Sequence, residues 1–132
     1  MSLIFIALDQ PDNAVLLDDD MFLEKYTDTD FEGFYPFESI FMDKDNINNF
    51  LNFIFMERVD IHVIEEKNNK VLIDLSVYKS KFLDPDKLIN VYFDWLSLSS
   101  RENMMSEYGN MICALGYLKR NSNKQNLYLI IE

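Results

Sequence analysis

Val59-Asp60-Ile61-His62-Val63-Ile64, then Glu65 to Lys70, then Val71-Leu72-Ile73-Asp74-Leu75-Ser76-Val77-Tyr78, is the stretch that decides the fold class. Apolar and polar residues alternate on both sides of Asn68-Asn69. Period-two alternation marks a half-buried strand, and an Asn pair between two such runs marks a hairpin turn. An antiparallel hairpin over 59–78 is therefore expected, with the turn at 65–70. Working outward, Leu3-Ile4-Phe5-Ile6-Ala7-Leu8 is a short, continuous apolar run, the pattern of a buried strand. Asn126-Leu127-Tyr128-Leu129-Ile130-Ile131 reads as a final strand.

Helices are expected between these strands. Asp45 is placed to cap one over about 46–57, with Ile47, Phe50, Leu51 and Ile54 on one face. Asp84-Pro85 opens another, Asp at the cap and Pro at the first position, where its missing N–H costs nothing. Leu88, Val91, Tyr92, Trp95 and Leu96 make its apolar stripe. Ser99-Ser100-Arg101-Glu102 matches a capping box, and Met104, Tyr108, Met111, Ile112 and Leu115 continue a helix from it. Gly109 and Gly116 weaken that helix, so residues 111–119 read equally as a strand beside the C-terminal one. Near the start, Ala14 to Leu17 is a short apolar piece, and Asp18-Asp19-Asp20 reads as the cap of a short helix to about Tyr26. Gly33 and Pro36 among aromatics make 27–43 mostly loop. The order is that of an α+β fold: a mainly antiparallel sheet with helices packed on one face. No linker, repeat or low-complexity tract divides the chain, so residues 1–132 read as one domain.

A chain of 132 residues, 48% of them apolar, buries about two thirds of the surface its unfolded form exposes, and folds without a metal or disulfide. Cys113 is the single cysteine, so no internal disulfide is possible. Within Met111-Ile112-Cys113-Ala114-Leu115 it reads as a small buried hydrophobe. The apolar start is too short to span a bilayer and lacks the basic leader of a signal peptide. A cytoplasmic protein is expected.

Charge carries the functional signal. The formal net charge is −11. Residues 1–66 hold 16 Asp/Glu against 3 Lys/Arg, and residues 67–132 hold 7 against 9. Direct binding to nucleic acid is disfavoured, because that needs cations to displace counterions. An anionic membrane is disfavoured for the same reason. The densest acidic stretch runs from Asp18 to Pro36. Asp18, Asp19, Asp20, Glu24, Asp28, Asp30 and Glu32 stand against Lys25 alone, interleaved with Met21, Phe22, Tyr26, Phe31, Phe34 and Tyr35. Aromatics supply hot-spot contact area and carboxylates steer a cationic partner. Asp18, Asp19, Asp20, Glu24, Asp28, Asp30, Glu32 and Tyr35 are the expected partner-binding residues. The alternative is that the aromatics are core and the acids only a solubilising face.

Catalytic patterns are weak. His62, the only histidine, sits two residues from Asp60 on one strand face, but no nucleophile is tied to it by a motif, and a structural histidine is the simpler reading. Three glycines cannot build a phosphate loop, and one His with one Cys cannot build a conventional zinc site. Asp28-Thr29-Asp30-Phe31-Glu32-Gly33 resembles the opening of an EF-hand loop, but the twelfth place, which needs a bidentate Glu, holds Ser39, and the ninth holds Pro36. No catalytic residue, cofactor or metal is expected.

Thirteen Asn against three each of Gly, Ala, Pro and Arg point to an AT-rich gene. In size, charge and composition over the whole chain, though in no motif, the protein resembles the immunity proteins of contact-dependent growth inhibition and related polymorphic toxin systems of bacteria. The resemblance implies a cytoplasmic inhibitor that occludes a basic, nuclease-like toxin domain by stoichiometric binding. A phage-encoded acidic inhibitor or DNA mimic shares the same physics. A small metal-dependent enzyme or calcium-binding module is the alternative of another class. Calorimetric titration with calcium, zinc and magnesium separates that class from the others: no heat and an unchanged melting temperature are expected, and saturable heat with any of the three would reverse the reading.

Overall fold

The structure is a computed structural model that describes residues 1–9, 37–96 and 104–132. The expected capping box at 99–102 and the pieces expected between residues 14 and 26 lie outside the described residues. A five-stranded, wholly antiparallel sheet is built from β1 (Ser2–Leu8), β2 (Phe37–Phe41), β3 (His62–Lys67), β4 (Lys70–Asp74) and β5 (Asn126–Ile131), in the order β2-β1-β5-β4-β3. Among the described residues three helices, α1 (Ile47–Ile54), α2 (Leu88–Leu96) and α3 (Met104–Arg120), accompany it. The fold is α+β.

The first and last strands form the middle of the sheet. β1 pairs with β5 from Leu3↔Ile131 to Leu8↔Asn126. Backbone bonds between Ser2 and Glu132, each 3.1 Å, extend the ladder beyond its last pair. On one face, Leu3, Phe5, Ala7, Ile73, Leu127 and Leu129 pack with Phe50, Leu51 and Ile54 of α1, Leu88 and Tyr92 of α2, and Met111, Leu115 and Leu118 of α3. The other face carries a smaller buried cluster of Ile4, Ile6, Leu72, Tyr128 and Ile130. A strand buried on both faces reads as an unbroken apolar run, which is why Leu3 to Ala7 does not alternate.

The β3–β4 hairpin turns on Asn68 and Asn69 alone, at φ 55° and 61°. Two consecutive left-handed residues are the signature of a type I′ turn, and Asn tolerates them better than other residues with a side chain. A turn this tight pulls Glu65, Glu66 and Lys67 into β3, where the sequence placed them in the loop. The strand boundaries shift for local reasons. The Val59 N–H donates to Asn52 Oδ1 at 2.8 Å and the Asp60 N–H to the Tyr78 hydroxyl at 2.9 Å, so Val59 and Asp60 bond to side chains and the ladder begins only at His62. At the far end, Asp74 Oδ1 accepts the Ser76 N–H at 2.8 Å, ending β4 in a turn that carries Ser76–Tyr78 into a 3-10 helix. The expected strand over 71–78 therefore stops at Asp74.

Residues 37–41, expected to be loop, form β2. Phe37, Ser39 and Phe41 point one way, with Glu38 and Ile40 toward the helices. Pairing with the open side of β1 outweighs the weak intrinsic preference of the segment. Residues 111–119 are helical. Met111, Ala114, Leu115 and Leu118 recur at helical spacing and are all buried, while Gly109 is exposed with open space around its Cα. That spacing turns Ile112 and Cys113 outward. Cys113 is exposed, a correction to its expected burial. Asp84 caps as expected, accepting the Asp86 N–H at 3.0 Å over the 3-10 turn Pro85–Lys87 that leads into α2. Asp45 does not cap α1; it lies inside the 3-10 turn Lys44–Asn46 that precedes the helix.

Helix α1 ends at Ile54 in a Schellman motif: the Met56 N–H donates to the Phe53 carbonyl and the Glu57 N–H to the Asn52 carbonyl, both at 3.2 Å. Met56 occupies the left-handed position at φ 58°, where glycine is usual because a Cβ is crowded there. Its side chain is exposed, so shortening it forfeits little burial. Met56→Gly should raise stability by about 1 kcal/mol, seen as a melting-temperature gain of about 4 °C. An unchanged or lower melting temperature would show that the left-handed residue is not strained.

Candidate functional site

The expected partner-binding residues Asp18, Asp19, Asp20, Glu24, Asp28, Asp30, Glu32 and Tyr35 lie outside the described residues. The structure does place the acids from residue 37 to the end of the first half. Between residues 37 and 66 there are seven, Glu38, Asp43, Asp45, Glu57, Asp60, Glu65 and Glu66, against Lys44 and Arg58. Four of the seven fall on one continuous path, Glu57 to Glu66, that leaves the end of α1 and runs along the outer strand of the sheet.

Several bonds fix this corner. Asn52 and Tyr78 hold the backbone at Val59 and Asp60. The Tyr78 ring lies 5.6 Å from that of Phe55. Lys81 Nζ stands 5.9 Å from the Tyr78 ring centre and 3.4 Å from Glu57 Oε1. Both partners of that ion pair are exposed, so its contribution is small. Beyond the corner every residue of β3 is exposed, including Val63 at 49% and Ile64 at 45%, and Ile61 just before the strand is exposed at 40%. Among the described strands β3 pairs with β4 alone, and the register slips between Val63 and Glu65, a bulge at Ile64. Glu65 stands opposite Leu72 and Glu66 opposite Val71. Neither glutamate enters an ion pair with a described residue, whereas Lys70 across the turn is buried and 3.5 Å from Glu132 Oε2. A shallow pocket of about 260 Å³, lined by Asn52, Phe53, Met56, Leu83 and Val91, opens beside the same corner. Its walls carry no titratable group, so it offers apolar contact and no acid–base chemistry.

His62 is the first residue of β3, opposite Asp74 in register. Asp60 falls outside the strand, so the expected same-face pairing of Asp60 with His62 is replaced by an Asp74 neighbour. Ser39, the twelfth place of the calcium-loop comparison, lies in β2 opposite Ile4. An EF-hand requires the exiting helix there.

A second set of titratable groups lies where α3 crosses β2. The described pairing between β1 and β2 runs from Ser2↔Phe41 to Ile6↔Phe37, and the N–H of Ala7 donates to the buried Tyr117 hydroxyl at 2.9 Å. Burial pushes the Tyr117 hydroxyl up to about 12, with the Ala7 N–H pulling the other way. Burial also raises the Glu38 carboxyl against the pull of Arg120. The guanidinium of Arg120 lies 3.3 Å from where a Cβ on Gly116 would stand. Burial, reinforced by Glu38, raises the Cys113 thiol, against the pull of Arg120. A thiol held above its ordinary value is protonated at neutral pH and is a poor nucleophile. This seam locks α3 to the sheet.

Among the described residues no three His, Cys, Asp or Glu side chains come together in a way that could hold a metal ion, and no helix is long and apolar enough to cross a membrane. No protein-family model, curated protein or solved structure matches the chain.

The exposure of the whole of β3 was missed from sequence. The alternation at 59–64 implies a half-buried strand, and Glu65-Glu66-Lys67 looks like loop. The available signal was the Asn68-Asn69 pair: a two-residue turn forces three charged residues into the strand, and such charge is a mark of a sheet edge. At the α3 seam, the raised thiol has a direct readout. The rate of Cys113 alkylation by iodoacetamide should rise with pH along a curve displaced upward from that of a free cysteine peptide. A curve matching or below the peptide's would contradict the assigned environment.

Proposed function

We propose that this chain is a non-catalytic acidic binding protein that masks a basic protein partner by stoichiometric docking. Its specific form is an immunity protein that neutralises a cognate nuclease-like toxin domain in the cytoplasm. One observation carries the reading: between residues 10 and 36 there are eight Asp/Glu and one Lys, interleaved with aromatic residues. Carboxylates at that density raise the encounter rate with a cationic surface, and aromatics supply the short-range energy that slows its departure. The path from Glu57 to Glu66 supports it with further acids beside exposed apolar residues and a rigid backbone. A site that needs little ordering on binding loses less affinity to entropy.

Two measurements test this reading. The association rate with the partner should fall roughly tenfold or more between low and high salt, while the dissociation rate changes less; a salt-independent association rate would overturn it. Replacing Asp18, Asp19 and Asp20 together with Asn should weaken binding and leave the melting temperature in place. Unaltered affinity would remove that cluster from the site.

A further inference from the structure

We propose that the outer edge of β3 is a docking rail for one extended, basic segment of the partner protein, added to the sheet as a sixth strand. This rests on the reading of the chain as a binder of basic proteins, and names which part of the fold the partner engages.

The edge has the properties that strand addition requires. β3 is hydrogen-bonded to β4 on one side only, so among the described residues its outer row of N–H and C=O groups faces no strand. Ile61, Val63 and Ile64 carry apolar surface that the fold itself does not bury. Natural sheets guard such edges with proline, inward charges or cover. Here the guards are the Ile64 bulge and the charged end Glu65-Glu66-Lys67, with no proline between Arg58 and Lys70. The strand is also held ready. The Asn68-Asn69 turn fixes one end, and the bonds to Asn52 and Tyr78 fix the other. Main-chain bonds would supply affinity, and side chains on either face of the new strand would set specificity.

Charge selects the occupant. The acids along the edge are Asp60, Glu65 and Glu66; the cations near it are Arg58 and Lys67, with His62 between. Because Glu65 and Glu66 are consecutive, one carboxylate lies on each face of the strand. A basic residue on either face of an added strand therefore meets a glutamate that has no ion-pair partner among the described residues. Opposite charges facing across a pair stabilise it, and like charges destabilise it. A second copy of this chain fits less well. Antiparallel self-pairing centred on Glu65 or Glu66 sets carboxylates against each other, and centring on Ile64 meets the bulge. Two chains of net charge −11 also repel.

The test uses the full chain and synthetic ten-residue peptides: alternating Lys and Val, the same peptide with Glu for Lys, and the Lys–Val peptide with a central Pro. Amide hydrogen exchange over residues 59–75 and peptide fluorescence anisotropy are read together. The Lys–Val peptide should bind and slow exchange within β3, and the other two should not. Glu65→Lys with Glu66→Lys should weaken binding roughly tenfold while exchange in β1 and β5 stays unchanged, which separates lost docking from unfolding. Protection that falls elsewhere, equal binding of the Glu peptide, or indifference to the double variant would each overturn the rail. Protection of β3 that grows with protein concentration in the absence of peptide would reassign the edge to a second copy. Because these peptides probe the edge without the natural partner, the rail can fail while acid-dependent, salt-sensitive binding at Asp18 to Asp20 still stands, and the reverse.

Discussion

The pairing of β1 with β5 is the constraint on which the rest of the molecule depends. It joins Leu3 to Ile131 and Leu8 to Asn126, the two ends of the described chain. β1 buries five consecutive residues and β5 four, on both faces of the sheet. A fully buried aliphatic or aromatic side chain contributes about 1.5–3 kcal/mol, so this pair anchors the apolar clusters on either side. Every other strand is added outward from it, β2 on one flank and β4 with β3 on the other. The cost is kinetic: residues more than a hundred positions apart must meet before the central ladder exists, and such non-local pairing slows folding.

That arrangement explains the character of β3. Burial falls from the centre outward, and the last strand receives no cover from the described helices, all three of which pack with the central strands and β4. Its stability comes from its ends and its ladder with β4: the type I′ turn, the Asn52 and Tyr78 bonds, and the buried Lys70 held by Glu132, just beyond the end of β5. A strand fixed this way keeps its shape without surrendering its side chains or its outer backbone to the core. It is the one described strand whose residues are all still available to another molecule.

Much of the fold was legible because several signals agreed at each place. β5 runs over the expected residues, β1 begins one residue earlier, and the Asp84 cap acts as its sequence context implies. The misreadings have physical causes. β2 becomes a strand because β1 offers it a ladder, a tertiary fact that Phe37 to Phe41 does not encode alone. Residues 59–61 alternate like a strand, yet Asn52 and Tyr78 take the N–H groups of Val59 and Asp60. Cys113 sits in an apolar run, yet helical phase turns it outward. The candidate site was legible only as charge. Sequence located the acidic half but not the path from Glu57 to Glu66, because that path depends on where the chain turns and which strand is outermost.

The proposed docking depends on the negative charge of this chain being complementary to a positively charged protein. Native mass spectrometry of what the tagged chain retains from its own cells at low ionic strength tests it most directly. A one-to-one complex with a protein of basic isoelectric point is expected, lost progressively as salt is added before elution. Retention of an acidic protein or a nucleic acid, or of a complex indifferent to salt, would contradict it.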